Sequence, residues 1–174
     1  MNKIIYLLLA LILFSCGESK PSSNETINPS KLASYEENDA QEEKSKQFIQ
    51  DYLRDINTDD WKTLILKYLP PNSDSFLEQH TAFRASFPNY RITIKHLSAD
   101  GNEVIAWMNI TATYAATYDF EDTDFKEAIK GIEAKNQLLS WDEVWYLDVV
   151  DGKFGDTWDY LKDQYVILRD LEVL

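Results

Sequence analysis

The 174-residue chain has one cysteine, Cys16, and two histidines, His80 and His96. An internal disulfide is therefore impossible, and no Cys/His cluster for a zinc ion can be assembled. Basic residues are also scarce, with 17 Lys and Arg against 30 Asp and Glu and a formal charge of −13. Nucleic-acid binding draws its affinity from clustered Lys and Arg that displace counterions from phosphates, so this balance argues against it. The chain lacks an internal repeat. It also lacks a long apolar run: the one at the start, Leu7 to Phe14, falls well short of the ~20 residues needed to span a bilayer. What it has is 44% apolar and 13% aromatic content, enough for a substantial core in one domain with appendages.

Lys3, the apolar run and then Leu13-Phe14-Ser15-Cys16 resemble a bacterial lipoprotein signal peptide. The resemblance implies cleavage before Cys16, acylation of its thiol, and attachment of the protein to a lipid bilayer through those chains. Residues 1–15 are then the signal, and the location is the cell envelope, at the outer membrane facing the periplasm or on the surface; Gly17-Glu18-Ser19-Lys20 does not specify the leaflet. Residues 16–37, the cysteine and a Ser-, Asn-, Glu- and Pro-rich stretch, have too little apolar surface to offset ordering entropy and read as a flexible tether.

The domain proper spans 38–174. A helix starting near Asn38–Gln41 and ending about Ile56 carries Phe48, Ile49, Tyr52, Leu53 and Ile56 on one stripe. A second, capped by Thr58 or Asp59, carries Trp61, Leu64, Ile65, Tyr68 and Leu69 and stops at Pro70-Pro71. A third opens at Asp74 or Ser75 with Phe76, His80, Phe83 and Phe87 in line. Strands follow over Tyr90–Leu97 and Glu103–Thr117, then the acidic run Asp119–Asp124 and a short helix over Phe125–Ala134. The acidic run lacks the regular spacing and glycine of a calcium loop, so no metal or cofactor is expected. Asp151-Gly152 between apolar runs is a strong hairpin signal for the last two strands. One register there carries Leu139, Trp141, Glu143, Trp145 and Leu147, and the other Ser140, Asp142, Val144, Tyr146 and Asp148. Leu161–Leu174 finishes as a strand end and a helix burying Leu161, Tyr165, Leu168 and Leu171. Helices followed by an antiparallel four-stranded meander make an α+β architecture.

Phe87-Pro88-Asn89-Tyr90 entering a long strand, Thr111-x-Thr113 closing the next, and Asp151-Gly152-Lys153 before Asp156-Thr157-Trp158 give the chain a further resemblance. In order and spacing, over residues 42–172, it resembles the SnoaL-like branch of the nuclear transport factor 2-like superfamily. The resemblance implies a cone in which N-terminal helices pack on a curved antiparallel sheet, with a small, mostly apolar ligand at its mouth. It also implies pairing of two chains into a homodimer through open sheet faces. The superfamily includes cyclases, isomerases, dehydratases and proteins that only bind, so the fold does not supply the function.

In the polyketide cyclases of this branch an aspartate near the end of the last strand is the general acid/base, which points to Asp159 or Asp163. Asp156, Glu143 and His80 are further carboxylate and imidazole candidates. His80 on an apolar stripe is equally consistent with a silent core histidine. Trp107, Asn109, Thr111, Trp141, Trp145 and Trp158 are candidates for the pocket lining, with simple core packing as the alternative for the tryptophans. Leu66 to Pro71 holds no histidine, Tyr114 stands where many members carry one, and Trp145 occupies a commonly acidic position. The expectation is thus a membrane-anchored binding cone for a small apolar or aromatic molecule without strong catalysis. The alternatives are an acid–base enzyme acting on a carbonyl substrate and an envelope protein-interaction module.

Overall fold

The computed structural model describes residues 28–118, 129 and 131–172. Cys16, the signal segment, the tether up to residue 27, the acidic run Asp119–Asp124 and half of the short helix expected at Phe125–Ala134 lie outside the described residues, and the described half, 129 and 131–134, is turn and irregular chain. The chain divides into two units, Met1–Ser34 and Tyr35–Leu174. The described part of the first, residues 28–34, is the start of helix α1, Pro29–Ile56. Asn28 caps it, its side-chain oxygen accepting from the Ser30 backbone N–H at 3.1 Å, with Pro29 in the first helical position. The helix therefore begins nine residues ahead of Asn38, because residues 29–37 are exposed and carry no apolar stripe to announce it.

In the second unit, α1 buries Phe48, Ile49, Tyr52, Leu53 and Ile56, the stripe its sequence spacing predicts. Asn57 ends it and clamps the sheet: its amide donates to the Ile92 carbonyl and its oxygen accepts from the Ile92 N–H, both at 2.8 Å. Helix α2, Trp61–Leu64, tightens into a 3-10 turn over Ile65–Lys67 ahead of Pro70. Helix α3, Asp74–Ser86, ends one residue before the fully buried Phe87.

Strands β1 (Arg91–Asp100), β2 (Glu103–Tyr114), β3 (Gln137–Val150) and β4 (Lys153–Lys162) form one antiparallel sheet in sequential order. The β3–β4 turn is Asp151-Gly152, both with positive φ (51° and 71°), as a tight hairpin requires. Alternation separates two faces. Val104, Ala106, Met108, Ile110 and Ala112 of β2 are fully buried, as are Leu139 and Leu147 of β3, and these define the inner face against the helices. The register containing Glu143 is thus the inner one, and that containing Asp142 is the outer one. Two irregularities bend the sheet. One falls at Lys95 of β1; in the other, Gly155, Asp156 and Thr157 of β4 stand opposite Asp148 alone. The result is a curved four-stranded sheet carrying helices on one face, an α+β fold.

Helix α4, Gln164–Asp170, closes the described chain, with Asp163 accepting from the Val166 N–H at its start. It buries Ile167 and Leu171. Leu161 and Tyr165, expected in the core, are 76% and 66% exposed, because Leu161 takes the outer-face position opposite Val144 and Tyr165 falls on the solvent side of the helix.

Candidate functional site

Between α1, α3 and the inner face of the sheet lies a cavity of about 270 Å³. Tyr52 and Ile56 come from α1, Phe76, His80 and Phe83 from α3, and Glu143 and Trp145 from β3. Strand β4 supplies Trp158, Tyr160 and Lys162 at alternate positions, which is why all three point the same way. The walls are mutually packed rings. Trp145 and Trp158 stand 5.3 Å apart, Phe76 and Trp158 5.6 Å, and Tyr52 lies edge-on to Phe154 at 4.7 Å. Such pairs add about 0.5–1.5 kcal/mol each beyond their burial, so the wall is stiff as well as apolar.

One carboxylate sits inside this wall. Glu143 is 6% exposed. The Trp141 indole N–H donates to its Oε1 at 2.8 Å and the Trp145 indole N–H to its Oε2 at 2.9 Å. Lys162 Nζ lies 3.4 Å from Oε1. Residues two apart on a strand share a face, so the two tryptophans flanking Glu143 reach it from either side. The chemistry of the group is therefore that of an anchored, charge-paired acceptor.

His80 stacks on Phe76 at 5.7 Å and meets Trp61 and Tyr90 edge-on at 4.8 and 5.4 Å. Its Nε2 accepts from Arg84 Nε at 3.1 Å, which assigns the remaining proton to Nδ1. Burial pushes the imidazole down to about 3, and the charges of Arg84 and Lys162 add to that. It is neutral at physiological pH. Arg84 itself lies over the Trp61 and Tyr90 rings at 4.5 and 5.0 Å and donates to the Ile56 carbonyl; burial lowers it to about 10. The Tyr52 phenol is raised by burial, so it too is neutral, a hydroxyl rather than a phenolate.

Of the residues singled out from the sequence, the cavity collects Glu143, His80, Trp145 and Trp158, with Trp141 behind Glu143. The others lie elsewhere. Trp107 is 44% exposed on the outer face, where its indole N–H donates to Asp142 at 2.9 Å. Asn109 shares that cluster, donating to Asp142 at 3.0 Å, and Thr111 occupies the same register. Lys95 Nζ completes it at 2.7 Å, and its hydrogen bond, joined by those of Asn109 and Trp107, holds the Asp142 carboxyl below its ordinary range. Strict alternation places these three residues opposite the buried Ala106, Met108 and Ile110, away from the cavity. Asp156 stands in the β4 bulge, Asp159 faces outward opposite Tyr146, and Asp163 caps α4; all three are exposed. The sequence reading missed Tyr52, Tyr160 and Lys162 as cavity residues. Tyr52 looked like one more stripe residue, whereas Tyr160 and Lys162 were marked by their even spacing from Trp158.

Among solved structures, the chain is similar to AclR from Streptomyces galilaeus, with 20% identity over 75% of this chain and 97% of that one, and a TM-score of 0.59. A SnoaL-like polyketide cyclase from Agrobacterium tumefaciens is similar at 15% identity, 73% and 97% coverage and a TM-score of 0.58. The chain has the SnoaL-like fold. The same cone extends to an epoxide hydrolase from M. tuberculosis, at 10% identity, 76% and 87% coverage and a TM-score of 0.55. No protein-family model and no curated protein matches the chain. Within this SnoaL-like cone the described residues hold no group of three or more His, Cys, Asp or Glu able to bind a metal. No described helix is long and apolar enough to cross a membrane.

Proposed function

We propose that this is a membrane-anchored envelope lipoprotein whose SnoaL-like cone binds a small apolar or aromatic molecule without strong catalysis. The observation that supports binding over turnover is the engagement of the acid–base groups in the cavity. Both Glu143 oxygens accept indole N–H bonds, and the one histidine is neutral and accepts from Arg84. A general base needs a lone pair within hydrogen-bond reach of the substrate proton, and three of the four or so acceptor sites of Glu143 and the His80 Nε2 lone pair are already directed at protein donors. The aromatic wall offers what a flat, apolar ligand needs. Anchoring rests on acylated Cys16, and the exposed outer-face residues Ile105, Trp107 and Tyr146 offer a surface for a second copy.

The alternative is an acid–base enzyme, in keeping with the cyclase and the epoxide hydrolase among the structural neighbours. It would require Lys162 to leave Glu143 when substrate enters. Native mass spectrometry of the chain purified from its own host separates the readings. A reproducible added mass of small-molecule size, recovered chemically unchanged after incubation, supports binding; its conversion to a new mass supports the enzyme. For the anchor, Cys16→Ser moves the protein from the membrane to the soluble fraction, and retention in the membrane would rule out attachment through the thiol.

A further inference from the structure

We propose that a second cleft, between the α1–α2 loop, the end of α3 and the start of β1, binds a small carboxylate through the guanidinium groups of Arg84 and Arg91. This cleft has a volume of about 230 Å³ and is bordered by Thr58, Asp59, Trp61, Arg84, Asn89 and Arg91, with Phe87, Pro88 and Tyr90 beneath them. It neighbours the aromatic cavity, since His80 borders the cavity, Arg84 borders the cleft, and the two side chains are hydrogen-bonded. The proposal does not depend on what the cavity binds. In a chain with 30 Asp and Glu against 17 Lys and Arg, each guanidinium has a surplus of carboxylates to pair with. Arg54 pairs with Asp51 and Asp55, and Arg169 with Asp170. Among the described residues Arg84 and Arg91 pair with no carboxylate, and Asp59, on the rim of the same cleft, ion-pairs with neither.

Arg84 is the centre of the site. It is half-buried and lies over the Trp61 and Tyr90 rings at 4.5 and 5.0 Å, so its hydrogen bonding is confined to the edge of the guanidinium plane. Of its five N–H groups one donates to His80 and one to the Ile56 carbonyl, which leaves three without a protein acceptor. With a value near 10 it remains charged at neutral pH. A charge withdrawn from water without a counter-charge is costly, and an anion in the cleft supplies one. Arg91 spends one N–H on the Tyr90 carbonyl at 2.9 Å and keeps the rest. The planar fork of a guanidinium matches a carboxylate through two parallel N–H···O bonds. A phosphate dianion meets the same fork, but its second charge faces Asp59 and a chain of formal charge −13, so the monoanion is preferred. At about 230 Å³ the cleft is below the usual ~300–1,000 Å³ of ligand pockets, which selects a short acid.

The test uses the full chain in nonionic detergent micelles, labelled with nitrogen-15 in arginine, and follows the side-chain Nε signals by NMR at low salt. Propionate is the probe; propionamide, of similar size without the charge, and inorganic phosphate are the comparisons. Arg54 and Arg169, the other two arginines of the chain, are internal controls. The expected result is a saturable shift of the Arg84 and Arg91 signals with propionate, none with propionamide, weaker binding of phosphate, and unmoved controls. Because Arg84 also ties Ile56 to His80, its removal would mix binding with folding, so the two exposed rim residues are varied instead. Arg91→Gln should weaken propionate about threefold and Asp59→Asn should tighten it about as much, the size of an exposed charge interaction. No shift, or equal shifts of all four arginines, overturns the site. Wild-type affinity in both rim variants overturns it too. Phosphate binding more tightly than propionate overturns the carboxylate assignment.

Discussion

At the residue scale, Glu143 and His80 show how one apolar wall can hold two polar groups for opposite reasons. Glu143 is kept because three donors converge on it, and it in turn fixes the angles of Trp141 and Trp145. Removing it leaves two buried indole N–H groups without their acceptor and takes a carboxylate away from Lys162. Glu143→Ala is therefore expected to cost about 3 kcal/mol in urea unfolding, well above an exposed control such as Asp159→Ala. His80 is kept neutral by burial, with its folded-state value near 3 against about 6.5 when unfolded. Its contribution is fully present above the unfolded value and is lost as pH falls towards the folded one, because the unfolded state binds the proton first. Between pH 7 and pH 4 the wild type should lose roughly 3 kcal/mol more stability than His80→Gln, measured by denaturant melts at each pH. Equal losses would mean that the imidazole charges freely in the fold.

At the element scale, β3 and β4 decide which side chains reach the cavity. The Asp151-Gly152 turn pins their register, and the β4 bulge resets it halfway along. Asp148 anchors that bulge, accepting from the Thr157 N–H at 2.8 Å, and its carboxylate lies where a side chain on Gly155 would have to go. Gly155→Ala is expected to cost about 2 kcal/mol, and less in an Asp148→Ala background, where the obstruction is gone. Additive losses in the double variant would contradict this account of the bulge. The bulge also explains what the sequence could and could not tell. Periodicity and the Asp-Gly turn were enough to find the helix stripes and all four strands and to separate the two registers of β3, but not to say which register is buried. They could not find an insertion, so nothing in the sequence showed that the candidate carboxylate Asp156 stands exposed in the bulge. Likewise both faces of β2 mix aromatic and small residues, and only the register with β3 assigns Trp107 to Asp142 on the outside. The early start of α1 escaped because a helix whose first turns are exposed leaves no apolar stripe.

At the scale of the whole molecule, the helices and the curved sheet enclose an aromatic cavity on the inner face and leave Ile105, Trp107 and Tyr146 open on the outer one. The two faces differ by one residue of register, and the proposed function gives them different work: ligand contact inside, surface contact outside. Tryptophans report on both, with Trp145 beside the cavity and Trp107 on the far side of the same sheet. The most direct measurement is therefore an NMR titration of protein labelled with nitrogen-15 at the indole positions, each signal assigned by a Trp→Phe variant. On addition of 1-indanone the Trp145 indole signal should move in a saturable way while the Trp107 signal stays in place. A moving Trp107 with a stationary Trp145 would put binding on the outer face and contradict the account.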